Sequence, residues 1–174
     1  MRATILFLFL MFLGGCSVFE SLEEVFLTIE PQTQPPHVTN AIQYLNLNER
    51  IHRYELRALM GIDPVKIEWC AAFLNAVLNN AGKPGAESVS QHPLLARSFL
   101  KWGESVEDPL KGDIVVFPRG SASWQGHVGI YLYTVTKNDI EYFAILGGNQ
   151  DKSVNVQLFR VGSEIGIRRY EVKG

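Results

Sequence analysis

The chain has 174 residues and a formal net charge of −2, with 47% of its residues hydrophobic. That is one domain's worth of sequence, enough to bury a core without metal or disulfide staples. The near-zero charge and scattered basic residues give no footprint for a nucleic-acid partner, and two cysteines are too few for a disulfide framework.

The first element is a leader. Met1-Arg2 is followed by an apolar run from Ala3 to Leu13 and then by Gly14-Gly15-Cys16. A short positive start, an apolar stretch and small residues make a secretory signal over residues 1–15, and the run is too short to span a bilayer. Leu13-Gly14-Gly15-Cys16 resembles the bacterial lipobox, which implies cleavage and lipidation at Cys16. Ser17 in second position, where an aspartate would mark inner-membrane retention, resembles an outer-membrane destination facing the periplasm. Residues 16–37 then read as a tether, because Pro31-Gln32-Thr33-Gln34-Pro35-Pro36 is polar, proline-rich and a poor helix former. About twenty extended residues reach at most roughly 70 Å, so the domain over residues 38–174 can work well away from its anchor.

Thr39 is placed to cap a helix reaching about Met60, with a weak point at Asn46-Leu47-Asn48 and a stop at Gly61 before the Asp63-Pro64 turn. A second helix is predicted from about Trp69 to Ala81. Cys70, Phe73, Leu74, Val77 and Leu78 recur on one of its faces at helical spacing. A third, shorter helix covers about Leu94 to Trp102. From Asp113 the period becomes that of strands: Ile114 to Phe117, His127 to Val135, Ile140 to Leu146, Val154 to Phe159 and Ile165 to Tyr170. Helices followed by an antiparallel meander predict an α+β domain, with the N-terminal helices packed on a small sheet.

Two residues stand out chemically. Cys70 begins a helix, where free amides and the helix dipole favour a thiolate and can donate to an oxyanion. With Cys16 taken by lipid, it is the one thiol left in an oxidising envelope, which invites a functional reading. The competing reading is a small buried hydrophobe, the common fate of a free cysteine. His127 heads a strand after the Gly120–Gly126 loop, where an imidazole can reach a neighbouring helix end and act as general base. His37, His52 and His92 lie in weaker contexts, and no His-Glu-x-x-His set suggests a metal. A third group should hold the ring in one tautomer. Asn149 ends the strand predicted to pair with that of His127; Gln150 can serve the same end or donate to an oxyanion, and Asp113 is the runner-up. Trp69, Trp124 and Gln125 flank the pair in sequence and are expected, with Gln150, to line a substrate cleft.

As a set, Trp69-Cys70-Ala71-Ala72-Phe73, Gly112-Asp113-Ile114-Val115-Val116-Phe117 and Gly126-His127-Val128-Gly129-Ile130-Tyr131 resemble the CHAP and NlpC group of papain-like cysteine hydrolases. The resemblance spans about residues 66–150. It implies a papain-like fold, a peptidoglycan substrate and amide-bond cleavage, either as a stem-peptide endopeptidase or as an N-acetylmuramoyl-L-alanine amidase. It makes Cys70 the nucleophile, His127 the base and Asn149 the third polar residue. The NlpC branch often has a histidine in that third place, so Asn149 leans toward the CHAP branch. No cofactor is implied, and the chain is expected to act as a monomer. A non-catalytic peptidoglycan-binding lipoprotein on the same fold is the alternative.

Overall fold

The first helix of the domain opens on a proline. In the computed structural model, which describes residues 34–170, α1 spans Pro36–Ile42 with Pro36 in its first turn. There the fixed φ of proline suits a helix and its missing N–H costs no hydrogen bond. The start expected at Thr39, and the extended tether expected through residue 37, are corrected accordingly. His37 is buried in α1, and its Nε2 donates to the carbonyl of Gly112 at 2.7 Å. The leader expected over residues 1–15, the lipidation site expected at Cys16 and the tether as far as residue 33 lie outside the described residues.

The weak point at Asn46-Leu47-Asn48 is a full break. Asn46 takes φ +68°, and the Asn48 side chain accepts from the amides of Arg50 and Ile51 ahead of α2, Arg53–Met60. Gly61 closes α2 at φ +70°, a left-handed conformation that glycine adopts without a Cβ penalty. Arg53 then donates from Nε to Asp63 at 2.8 Å and holds that carboxyl down at about 2. Helix α3, Cys70–Asn80, is buried along almost its whole length. The helix expected at Leu94–Trp102 is a 3₁₀ segment, Ala96–Lys101, preceded by a single 3₁₀ turn at Ala86–Ser88.

Six strands form one antiparallel sheet: β1 Glu104–Ser105, β2 Ile114–Pro118, β3 Gly126–Lys137, β4 Ile140–Gln150, β5 Ser153–Arg160 and β6 Gly166–Arg169. Their order is β1-β6-β2-β3-β4-β5. The two-residue β1 was not anticipated; nothing so short carries a period. The sheet buries both faces, which is why β2 reads as an unbroken apolar run. Ile114 and Val116 join Val128, Ile130 and Leu146 under the helices. Val115 and Phe117 instead join Tyr131, Phe143, Ile145 and Ile167 on the other face. That second core is made by the sheet and its connections alone. Phe117 of β2 stacks on Phe159 of β5, ring centroids 4.3 Å apart, although β3 and β4 lie between those strands. The sheet therefore curls enough for its β5 edge to reach over toward β2, and this α+β architecture places one end of β3 beside the start of α3.

Asp113, the runner-up site residue, belongs to the frame. Its buried carboxylate accepts from Arg169 through Nε at 3.0 Å and Nη2 at 2.7 Å, and from the amide of Leu110 at 2.7 Å. It ties the entry of β2 to β6. Removing one partner of such a network leaves the other unpaired. Asp113→Ala should therefore lose about 2–3 kcal/mol of stability in urea unfolding, with the midpoint shifted and the slope unchanged.

Candidate functional site

Cys70 is the first residue of α3 and is 5% exposed. No side chain caps this helix start, so its first-turn amides keep their donor capacity. The amides of Ala71 and Val128 point at the sulfur, and the latter belongs to the residue next to His127. Even so, the thiol is pushed up from its ordinary value, because burial outweighs both amides and the field of Arg119. The thiolate expected from helix position alone is thus corrected: the dipole is present, but desolvation is larger.

The imidazole of His127 is buried and stacks on Phe159 with centroids 5.5 Å apart. Its Nε2 lies 2.9 Å from Oε1 of Gln150. The amide nitrogen of Gln150 is already committed to the carbonyls of Asn155 at 2.7 Å and Ile145 at 3.2 Å, and to Oδ1 of Asn155 at 3.0 Å. An amide oxygen only accepts, so Nε2 of the ring carries the proton and Nδ1 keeps its lone pair. That Nδ1 is buried and has no hydrogen-bond partner. Burial also lowers the ring's pKa, against the raising effect of Gln150. At neutral pH the site therefore holds a neutral thiol and a neutral imidazole of one defined tautomer.

Asn149 does not orient the ring in this structure. Its Nδ2 donates instead to Glu68 at 2.6 Å. The reason is a register break. Along β4, Phe143 and Ile145 face the same side as His127, and unbroken alternation would bring Asn149 to that side. The pairing with β5 slips between Gly147 and Gln150, and Asn149 adopts φ +58°. The slip turns Asn149 toward Glu68 and Gln150 toward His127. The two glycines before it make room: a Cβ on Gly147 would sit 2.9 Å from Oε1 of Gln150, and one on Gly148 would sit 2.6 Å from both Phe73 and Trp69.

Cys70 opens on a cleft of about 380 Å³, walled by Glu68, Leu94, Trp124 and Gln125 among others. Trp124 lies at this cleft and is 60% exposed. Gln125 reaches the cleft too, but its Oε1 accepts from the amide of Ala122 and closes its own loop. Two of the expected cleft residues are corrected. Trp69 is fully buried and donates from Nε1 to Glu49 at 3.1 Å. Gln150 is buried with every amide hydrogen engaged, so it can neither meet substrate nor donate to an oxyanion. His127 faces an adjoining hollow of about 180 Å³, and Arg119 walls both spaces.

Asn155, Phe159 and Arg119 carried no signal in the sequence. Asn155 and Phe159 act on His127 across strand pairings, and Arg119 looks like any residue ending a strand. Among the described residues no group of three or more His, Cys, Asp or Glu is placed to hold a metal ion. No protein-family model matches the chain, and no curated protein matches it.

Three outcomes are expected. Iodoacetamide should alkylate Cys70 with a midpoint above the value of about 8.5 for a free thiol, and unfolding should speed the reaction at pH 7. Gly147→Ala should displace the Gln150 amide and, by removing the partner that raises the ring's pKa, move the imidazole's titration further below about 6.5, read by NMR of the ring protons. Stability should also fall in acid. Both His37 and His127 have pKa values lowered by burial, so the unfolded chain binds more protons below about 6.5. Their contribution is complete above that pH and declines as the pH falls from there toward the folded values. Urea midpoints measured between pH 5 and 7.5 should show the fall, and His37→Gln should flatten part of it.

Proposed function

We propose that this chain is a cysteine hydrolase of the bacterial cell envelope, on a papain-like fold, that cleaves amide bonds in peptidoglycan. The carrying observation is the tautomer lock on His127. A ring that donates to Gln150 through Nε2 and keeps a bare, buried Nδ1 beside the strand residue that contacts Cys70 is built to accept a proton. His37 shares the bare, buried Nδ1, so what sets His127 apart is that its bare nitrogen comes with a place next to Val128, whose amide reaches the Cys70 sulfur.

In the proposed reaction Nδ1 of His127 takes the thiol proton as sulfur attacks the amide carbonyl, and the first-turn amides of α3 hold the oxyanion. The imidazolium then gives its proton to the departing amine, leaving a thioester on Cys70. Water, deprotonated by His127, attacks the thioester carbonyl, and the thiolate leaves with that proton. Gln150 orients the ring throughout and touches no substrate. Because thiol and imidazole rest neutral, proton transfer accompanies attack rather than preceding it.

The anchor belongs to the same reading. Cys16 carries lipid, residues 17–33 link it to the domain, and the enzyme faces the periplasm from the outer membrane as a monomer. The bond cleaved is a stem-peptide amide or the one joining the stem to the sugar. One observation favours the non-catalytic alternative, a wall-binding lipoprotein: Cys70 is nearly inaccessible and its thiol is held protonated.

Purified sacculi decide between them. Wild type should release soluble fragments and Cys70→Ser should release none, while binding of both proteins to sacculi stays equal; equal release would leave only the binding role. His127→Ala should lose as much activity as Cys70→Ala, since nucleophile and base act as a unit. Gln150→Ala should lose about 10²-fold or more, by analogy with loss of a ring-orienting partner, and Asn149→Ala about tenfold or less. In wild type, kcat/KM should fall on the acid side with a midpoint below about 6.5, as the lowered imidazole protonates.

A further inference from the structure

We infer that Arg119 reads a free carboxylate on the substrate, next to the bond that is cut; the inference rests on the hydrolase reading above. Arg119 borders three concavities at once: the cleft at Cys70, the hollow at His127, and a polar groove of about 450 Å³ that runs past Glu68 and Asn149. A ligand lying across the Cys70–His127 site from any of these spaces meets its guanidinium.

Its resting bond is weak. Nη1 lies 3.3 Å from Oε2 of Glu68, and the two side chains are 48% and 77% exposed. Exposed pairs of this kind contribute little, because water screens them and ordering two long side chains opposes them. The contact engages one corner of a planar fork whose geometry suits two oxygens of a carboxylate. Glu68 does not depend on Arg119, since Asn149 donates to the same oxygen at 2.6 Å. A substrate carboxylate can therefore replace Glu68 on the guanidinium while Glu68 stays bonded to Asn149.

The base of Arg119 is held firmly. It follows Pro118, the last residue of β2, which pairs with Gly126. The loop between them is closed by Gln125, whose side chain accepts from Ala122 and whose carbonyl accepts from Arg97 at 2.7 Å. Gly120 at φ +64° leaves the space that the Gln125 amide fills. A rigid root with a lightly held tip is the arrangement that lets a charged side chain bind a ligand without reorganising the backbone.

This assigns Asn149 a role as well: it positions Glu68, and Glu68 parks Arg119 at the mouth of the cleft. The substrate class that follows is an amide flanked by an ionised carboxyl group, with amidated counterparts discriminated against.

The test uses muropeptides from one digest, half of them converted to carboxamides with carbodiimide and ammonia. Wild type should prefer the free acids by roughly 10- to 100-fold in kcat/KM, the range a charge-assisted hydrogen bond supplies. Arg119→Gln should erase that preference mainly through KM, and Arg119→Lys should restore part of it. An undiminished preference in Arg119→Gln, or none in wild type, overturns the inference. Calorimetric titration of Cys70→Ala protein with the same two pools separates it from the hydrolase reading. Tighter binding of the free acids that Arg119→Gln abolishes, with no turnover by wild type, keeps the role of Arg119 and removes the enzyme. Equal binding of both pools removes the role of Arg119 whatever the turnover.

Discussion

The arrangement of the site depends on which way one amide faces. Gln150 has three acceptors around its nitrogen and a histidine at its oxygen, and only one orientation satisfies them all. The reversed amide would set its oxygen against two carbonyls. That choice passes to the imidazole, whose proton must sit on Nε2, and so to Nδ1, which must be bare. Asn155 makes the choice robust by also donating from Nδ2 to the Gln150 carbonyl at 2.7 Å. Side chain and backbone of the two residues thus bind each other reciprocally across the β4–β5 pair.

The same region reconciles two demands on the sheet. Its helix-facing side must admit Trp69 and Phe73, and its other side must admit the Gln150–His127 pair. Gly148 answers the first demand and Gly147 the second. Two consecutive residues without Cβ atoms let opposite faces of one strand be approached closely at the same point, where a pair of alanines would push both layers outward. Burial then sets the electrical state: the pocket that orients the ring also withholds water from it, so orientation comes at the expense of charge.

Much of the architecture was legible in the chain because it follows from period and punctuation. The switch from helical spacing around Cys70 to alternation after Asp113 marks an α+β domain, and Gly61 and the Lys137–Asp139 segment mark ends and turns. The placement of Cys70 at a helix start and of His127 at a strand start followed from the same signals. What escaped depends on register. A period of two extrapolated along β4 selects Asn149, and only the slip between Gly147 and Gln150 reverses the assignment. Trp69 illustrates a second limit. Adjacency to Cys70 in sequence suggested a place in the cleft, but successive residues at a helix start point in different directions, and Trp69 points inward toward Glu49. The thiol shows a third: helix position predicts the sign of the dipole's effect but not the depth of burial that overrides it.

The stacking of Phe159 on both Phe117 and the His127 ring has a bearing on how the molecule comes into being. Cys70 and His127 are both synthesised before β5, yet the ring's stacking partner and the Asn155 anchor of Gln150 belong to that strand. Until β5 docks along β4, the imidazole lacks its aromatic support and its acceptor lacks an anchor. A chain cut short before Ser153 would keep Cys70 and His127 and lose what fixes the imidazole. The last long strand to be made thus completes the setting of a residue made well before it: no chain still emerging from the ribosome holds that ring in place.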